Sequence, residues 1–258
     1  MSQQSTLGDF YKNYRTNDDC REFLFNLKWK KGFCCFKCGH TSCGKGRTRF
    51  NLRCKQCGYD ESVLANTVFH KLKIPLFKAF GMLYLITNAK GGSSSIDLAH
   101  LFGTNQKSAW YFKRKVQQAL LSVKSPKKKR TLKRKSYLVD SILVSGRDPG
   151  SNGLQQVQLD VEEFTSEDQD PKQVCATSSF PLGEKKHSSE LLKGKFDQPN
   201  PNIQMWNFKA WITGTHHHSS AKYLQGYVDE YLFRYSNRLH LNKIWYKLMA
   251  LLVQRKPH

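Results

Sequence analysis

CCFKCGHTSCGKGRTRFNLRCKQC, residues 34–57, holds six of the chain's eight cysteines. Four of them, Cys35, Cys38, Cys54 and Cys57, fall into the spacing C-x2-C-x15-C-x2-C, in which two tight knuckles close a tetrahedral thiolate site around zinc. Each knuckle is followed by a glycine, Gly39 or Gly58, where positive φ turns backbone amides toward the sulfurs. Four thiolates leave no open coordination position. The ion is therefore expected to staple a ribbon too small for a core of its own, and to activate no water. Cys34 and Cys43 are left over and read as bystanders. Free buried cysteines are the plainer alternative, and the pattern weighs against them. Along RTRFNLRCK, Arg47, Arg49, Arg53 and Lys55 alternate with Phe50 and Leu52, as in a strand whose basic face suits phosphates. A solvated edge that resists pairing reads the same way.

Upstream, NDDCREFLFNLKWKKGF predicts a helix with Asn17 as N-cap, acids in its first turn, and Phe23, Leu24 and Leu27 at helical spacing. Cys20 is then a core residue. Downstream, PLFKAFGMLYLITNAK opens with Pro75 at a helix N-terminus and is apolar almost all round. That suits a buried helix and is too short to span a bilayer. GGSSSIDLAHLFGTNQKSAWYFKRKVQQAL then predicts a short helix, a turn at Phe102-Gly103-Thr104, and a longer helix. Ile96, Leu98, Ala99 and Leu101 are expected to face inward on the first. Ala109, Phe112, Val116 and Leu120 form the stripe of the second, with Lys107, Lys113, Arg114 and Lys115 largely off it. This is the layout of a helix-turn-helix with a basic recognition helix, and equally of two helices in a generic bundle.

The 258 residues carry a formal charge of +22, with 39% hydrophobic residues, which excludes a disordered tail and points to a polyanion as partner. No apolar run of about 18 residues and no leader pattern is seen, so the expectation is a cytoplasmic, nucleoid-associated protein with no membrane partner. Between Asp97 and Asp140 no acid occurs while twelve Lys or Arg do, ending in SPKKKRTLKRK, residues 125–135. Such a run is usually a solvated linker; after a DNA-binding helix it adds phosphate contacts, and it marks a boundary near residue 136.

The succession CFKCG, RCKQCG, NTVFHKLKIPLFKAFGMLYLI and SSSIDLAHLFGTNQKSAWYFKRKVQQAL is similar to the N-terminal half of bacterial insertion-sequence transposases of the ISXO-two-like branch. KAWITGTHHHSSAKYLQGYVDEYLFRYSNR resembles the end of that family's catalytic domain. The resemblance implies a zinc ribbon, a helical DNA-binding segment, and a ribonuclease-H-like domain that cuts and joins DNA with bound magnesium or manganese. Such domains place one Asp mid-strand, a second at the end of a neighbouring strand, and a third ligand on a following helix, so that hard oxygen donors hold two divalent ions.

Asp140, in YLVDSILVSG, lies inside an apolar, β-branched run, where an acid is costly to bury unless it binds metal or a partner. The family follows its Asp with an acid and a pair of glycines; here Ser141 and Ser145-Gly146 stand instead. An Asp at the exposed edge of an ordinary strand remains the alternative. Asn202 and Lys209, seven apart, share one face of a helix and match the family's Asn-or-Glu with a Lys seven positions on. Asn202 would offer a carbonyl ligand and Lys209 a cation near the scissile phosphate; an asparagine that merely caps the helix is the other reading. His216, His217 and His218 suit phosphate or backbone hydrogen bonds better than a second metal. SSAKYLQGYVDEYLFRYSNR predicts an amphipathic helix closing the fold. No second Asp is apparent: Asp160, Asp168 and Asp170 fall in LDVEEFTSEDQDP, which reads as a loop, and Asp197 is too close to Asn202.

The fold class expected is α+β and multi-domain: an N-terminal helix (1–30), a zinc ribbon (31–62), a helix-turn-helix-like segment (63–122), a basic linker (123–136) and an abbreviated ribonuclease-H-like α/β domain (137–258). The expected function is a DNA transposase, and the alternative is a catalytically inactive remnant or zinc-ribbon DNA-binding protein. Candidate DNA contacts are Arg47, Arg49, Lys107, Lys113, Arg114 and Lys115; the expected partners are element terminal repeats, target DNA, and further copies of the chain when bound to DNA.

Overall fold

A helix that is apolar on every side has to be surrounded, and α3 (Leu76–Asn88) is. It buries nine of its residues, including Phe80, Met82, Leu83 and Ile86, and packs against α1 (Leu7–Asn13), α2 (Asn17–Lys28), α4 (Ser95–Phe102) and α8 (Leu241–Val253). The computed structural model describes residues 7–89, 91–121, 133–145, 154–166, 169–181, 190–191, 201–216, 219–237 and 241–253. The chain divides into two compact units, Met1–Ala119 with Ser236–His258, and Leu120–Tyr235.

In the first unit, α2 starts one residue earlier than Asn17 implied. Thr16 is the N-cap, its hydroxyl accepting the Asp19 N–H while the Asp19 carboxylate accepts the Thr16 N–H at 2.8 Å. Asn17 instead accepts the Phe77 N–H at 3.2 Å and so ties α2 to the start of α3. The ribbon is a three-stranded antiparallel sheet in the order β1 (Cys43–Lys45), β2 (Asn51–Cys54), β3 (Asp60–Ser62). It is joined to α2 by a buried ion pair. Lys28 Nζ lies 2.9 Å from Glu61 Oε1 and also donates to the Ser62 and Ala65 carbonyls, which meets the ammonium's needs away from water.

The chain's last helix, α8, belongs to this unit. The domain outline read from the sequence ran it on with residues 137–258, but Trp245 sits against Phe10, Tyr14, Phe23 and Phe80 at centroid distances of 5.2 to 5.7 Å, and the Val68 N–H donates to the Leu252 carbonyl. Residues 241–253 thus join residues 7–119 in one unit, although residues 120–235 of the other unit come between them in sequence. A Cβ at Gly81 of α3 would strike the Tyr11 hydroxyl and come 2.5 Å from the Phe102 ring, so glycine is what lets α4 approach α3. Gly81→Ala is expected to cost about 1–3 kcal/mol, the range for overpacking, read from urea unfolding.

The second unit contains a four-stranded sheet in the order β6-β5-β4-β7. β4 (Lys133–Ser145), β5 (Leu154–Ser166) and β6 (Gln169–Pro181) are antiparallel; β7 (Glu190–Leu191) runs parallel to β4. Helix α6 (Pro201–His216) packs on β4, and α7 (Ala221–Ser236) completes a core of Val157, Phe208, Trp211, Ile212, Leu224, Tyr227 and Val228. The segment LDVEEFTSEDQDP, expected as a loop, spans the β5–β6 hairpin instead. Residues 159–164 pair with β4 on one side and β6 on the other. Asp168 lies outside the described residues.

Candidate functional site

The two cysteine knuckles are built alike. The Cys35 N–H donates to the His40 carbonyl and the Gly39 N–H to the Cys35 carbonyl; the Cys54 N–H donates to Tyr59 and the Gly58 N–H to Cys54. Gly39 and Gly58 stand at φ of 75° and 67°, the left-handed region that closes each turn. The four sulfurs lie within 4.8 Å of one another, with Cys35 to Cys57 at 3.5 Å and Cys38 to Cys54 at 3.6 Å. Zinc–sulfur bonds of about 2.3 Å put tetrahedral sulfurs about 3.8 Å apart, so the cage fits the ion. The Cys57 N–H and then the Gln56 N–H pull the Cys54 thiol down to about 7, while, against the His40 N–H, desolvation and the other three thiols push Cys38 up to about 12, so the four sulfurs share their protons as one group. Phe33, Trp29, Leu52 and Tyr59 wrap the cage. Cys34 turns to the Gly39 carbonyl and Cys43 to the apolar cluster, and neither joins the four.

Helix α4 opens on a capping box between Ser94 and Asp97, and ends at Gly103 with φ 54°. Helix α5 (Gln106–Leu121) follows, its first turn capped by Asn105 Oδ1, which accepts the Lys107 N–H at 2.8 Å. The Ala109, Phe112, Val116, Leu120 stripe is buried, as are Leu98, Ala99 and Phe102. Ile96 and Leu101, expected inward, are 55% and 59% exposed. On so short a helix the inner face is taken by Leu98, Ala99 and Phe102, and Ile96 lies about 200° from Leu98.

The basic residues divide differently from the sequence pattern. Lys113 is buried with Nζ donating to the Ser93 carbonyl at 2.6 Å. Arg114 is buried too, bonded to Gln117 Oε1 at 2.6 Å and stacked over Trp110. Lys115 donates to the His70 carbonyl at 2.8 Å, and Lys107 is exposed. On the ribbon, Arg49 pairs with Glu22 at 3.0 Å, while the exposed Arg47 lies 3.8 Å from Asp60.

Asp140 sits on β4 immediately after a register shift: Leu138 pairs with Asp160, and Asp140 with Leu159. Asn202 is the second residue of α6. Lys209 is one face of the same helix further on, its Nζ 5.8 Å from the centre of the exposed Trp206 ring. The side chains of Asp140 and Asn202 lie outside the described residues, as do His217 and His218. His216 ends α6 against Trp211 and Tyr227, at centroid distances of 4.9 and 4.3 Å, and so has a packing role. Gln106, Tyr111 and Trp206 were not singled out in the sequence; only their exposure on ordered helices draws notice to them.

Residues 15–60 match the family described as the transposase zinc-ribbon domain, and residues 202–236 match the ISXO2-like transposase domain. The two matches, each well short of half of the chain, support an insertion-sequence transposase of the ISXO2-like branch. No curated protein and no solved structure matches the chain. The first match covers α2 and the cysteine cage, so the four sulfurs are the structural zinc site of a transposase-type zinc ribbon. The second match begins at Asn202 and covers α6 and α7. Among the described residues, no helix is long and apolar enough to cross a membrane.

Proposed function

We propose that this transposase binds the ends of its insertion element and cuts and joins DNA there, on a ribonuclease-H-like unit formed by β4–β7 and α6. The observation that carries this reading is Asp140's position. Val157 is in the core against α6 and α7, and a strand's period of two puts positions 157, 159 and 161 on one face. Their register partners on β4 include Asp140, opposite Leu159, and Tyr137, opposite Val161. Position 140 therefore belongs to the face that α6 covers, beside a bulge of the kind that re-aims side chains near active sites.

A carboxylate and an amide oxygen are the hard donors that magnesium or manganese takes. Asp140 and Asn202 would hold the ion, which when bound activates an attacking oxygen and stabilises the leaving one. Lys209 adds a cation on the Asn202 face of α6, where a phosphate approaching the pair meets it. Asp160 falls on the opposite face of the sheet by alternation; the acid that register leaves beside Tyr137 is Glu190 of β7. Joining two element ends calls for more than one protomer on the DNA.

A second reading, a chain that grips DNA without cutting it, is favoured by the amide at position 202, which offers less charge than a carboxylate. A nicking assay separates the two. Duplex carrying an element end is incubated with the full chain and magnesium or manganese, and the wild type is expected to cut it. Asp140→Asn is expected to lower the rate by at least about a hundredfold, since even residues one shell out from a metal cost 10–100-fold, while leaving DNA binding intact. A wild type that binds the duplex and leaves it uncut with either ion establishes the second reading.

A further inference from the structure

We infer that Gln106 reads an adenine in the major groove, with Lys107 and Tyr111 beside it, an assignment that rests on the proposed DNA binding. The basic residues that looked like the recognition set are committed within the protein: Lys113 to Ser93, Arg114 to Gln117 and Trp110, Lys115 to His70. What the N-terminal half of α5 leaves to solvent is Gln106, Lys107 and Tyr111. At about 100° per residue these three positions share an arc of about 140°. In a helix-turn-helix it is this half of the second helix that meets base edges.

Gln106 is held in place for the task. Its Nε2 donates to Ser95 Oγ, at the start of α4, at 3.2 Å. The amide has two N–H groups, so one donor and the Oε1 acceptor stay available side by side. That pair complements the N7 acceptor and N6 donor that adenine presents in the major groove. Lys107 next to it supplies charge for a phosphate, and no acid lies on the arc or anywhere from residue 98 to 139. The net charge of +22 fits the polyanion, and the duplex is DNA, because the major groove of an RNA helix is too narrow for a helix to enter. Ser95 is a positioning residue that acts through Gln106.

The test is selection of binding sites from a pool of randomised DNA duplexes by the purified full chain, with sequencing of what is retained. The wild type is expected to enrich a motif containing a fixed adenine. Gln106→Ala, on an exposed side chain, is expected to lose preference at that one position by about tenfold or more, with the other positions kept and affinity for the adenine-bearing site lowered by a similar factor. Ser95→Ala is expected to blur the same position to a lesser degree. A Gln106→Ala motif identical to the wild type's, or a loss spread evenly over all positions, overturns the assignment. A wild type that retains no duplex at low salt overturns the DNA-binding reading itself, and the assignment with it.

Discussion

Cys54→Ser is expected to strip the zinc from the protein and unfold the ribbon. The sheet β1-β2-β3 has strands of three or four residues, and its apolar cluster is built around Cys35 and Cys54 themselves. Without the ion, nothing of comparable strength holds the two knuckles together. Apparent binding free energies of structural zinc in small domains are about 10–16 kcal/mol, far above what so small a cluster supplies. Metal analysis of the purified chain is expected to fall from about one zinc per chain to almost none, and the Trp29 and Tyr59 environments beside the cage to become solvated. Cys34→Ser and Cys43→Ser, outside the cage, are expected to keep full zinc. The helix content should survive in all three, because the helical body is organised by α3. Retention of stoichiometric zinc by Cys54→Ser would remove the ligand assignment.

Trp245→Ala is expected to destabilise the first unit by about 3–5 kcal/mol, the range for truncating a buried aromatic. The indole is 4% exposed and meets rings from α1, α2 and α3 together, so its loss opens a cavity that no single neighbour can fill. Against a usual total of about 5–15 kcal/mol this is a large share, and the urea midpoint should fall clearly with little change in slope. A shift below about 1 kcal/mol would mean that α8 is not part of the body it closes.

The zinc cage was legible because metal chemistry fixes ligand type and spacing within a short stretch. The α3 core was legible from an apolar run with no polar face. Other features depend on contacts distant in sequence. Lys113 looked like a surface lysine until the Ser93 carbonyl, twenty residues earlier, proved to be its acceptor. Nothing local to LNKIWYKLMALLV says that its partner is α3, more than 150 residues away; the pattern shows that a stripe must be buried and not against what. The β5–β6 hairpin was hidden by its acids, whose number suggested a loop, and the strand rests on pairing with β4 and β6. Asp140 was legible as an acid in an apolar strand, while the bulge beside it depends on pairing with Leu159.

Asp140 and Asn202 are proposed to share one metal pocket. Crystals of the full chain grown with manganese and an element-end duplex test it directly, through the anomalous signal of the ion. A peak is expected about 2.0–2.3 Å from both the Asp140 carboxylate and the Asn202 amide oxygen. Those two groups pointing apart, more than about 10 Å from each other with no ion between them, would contradict it.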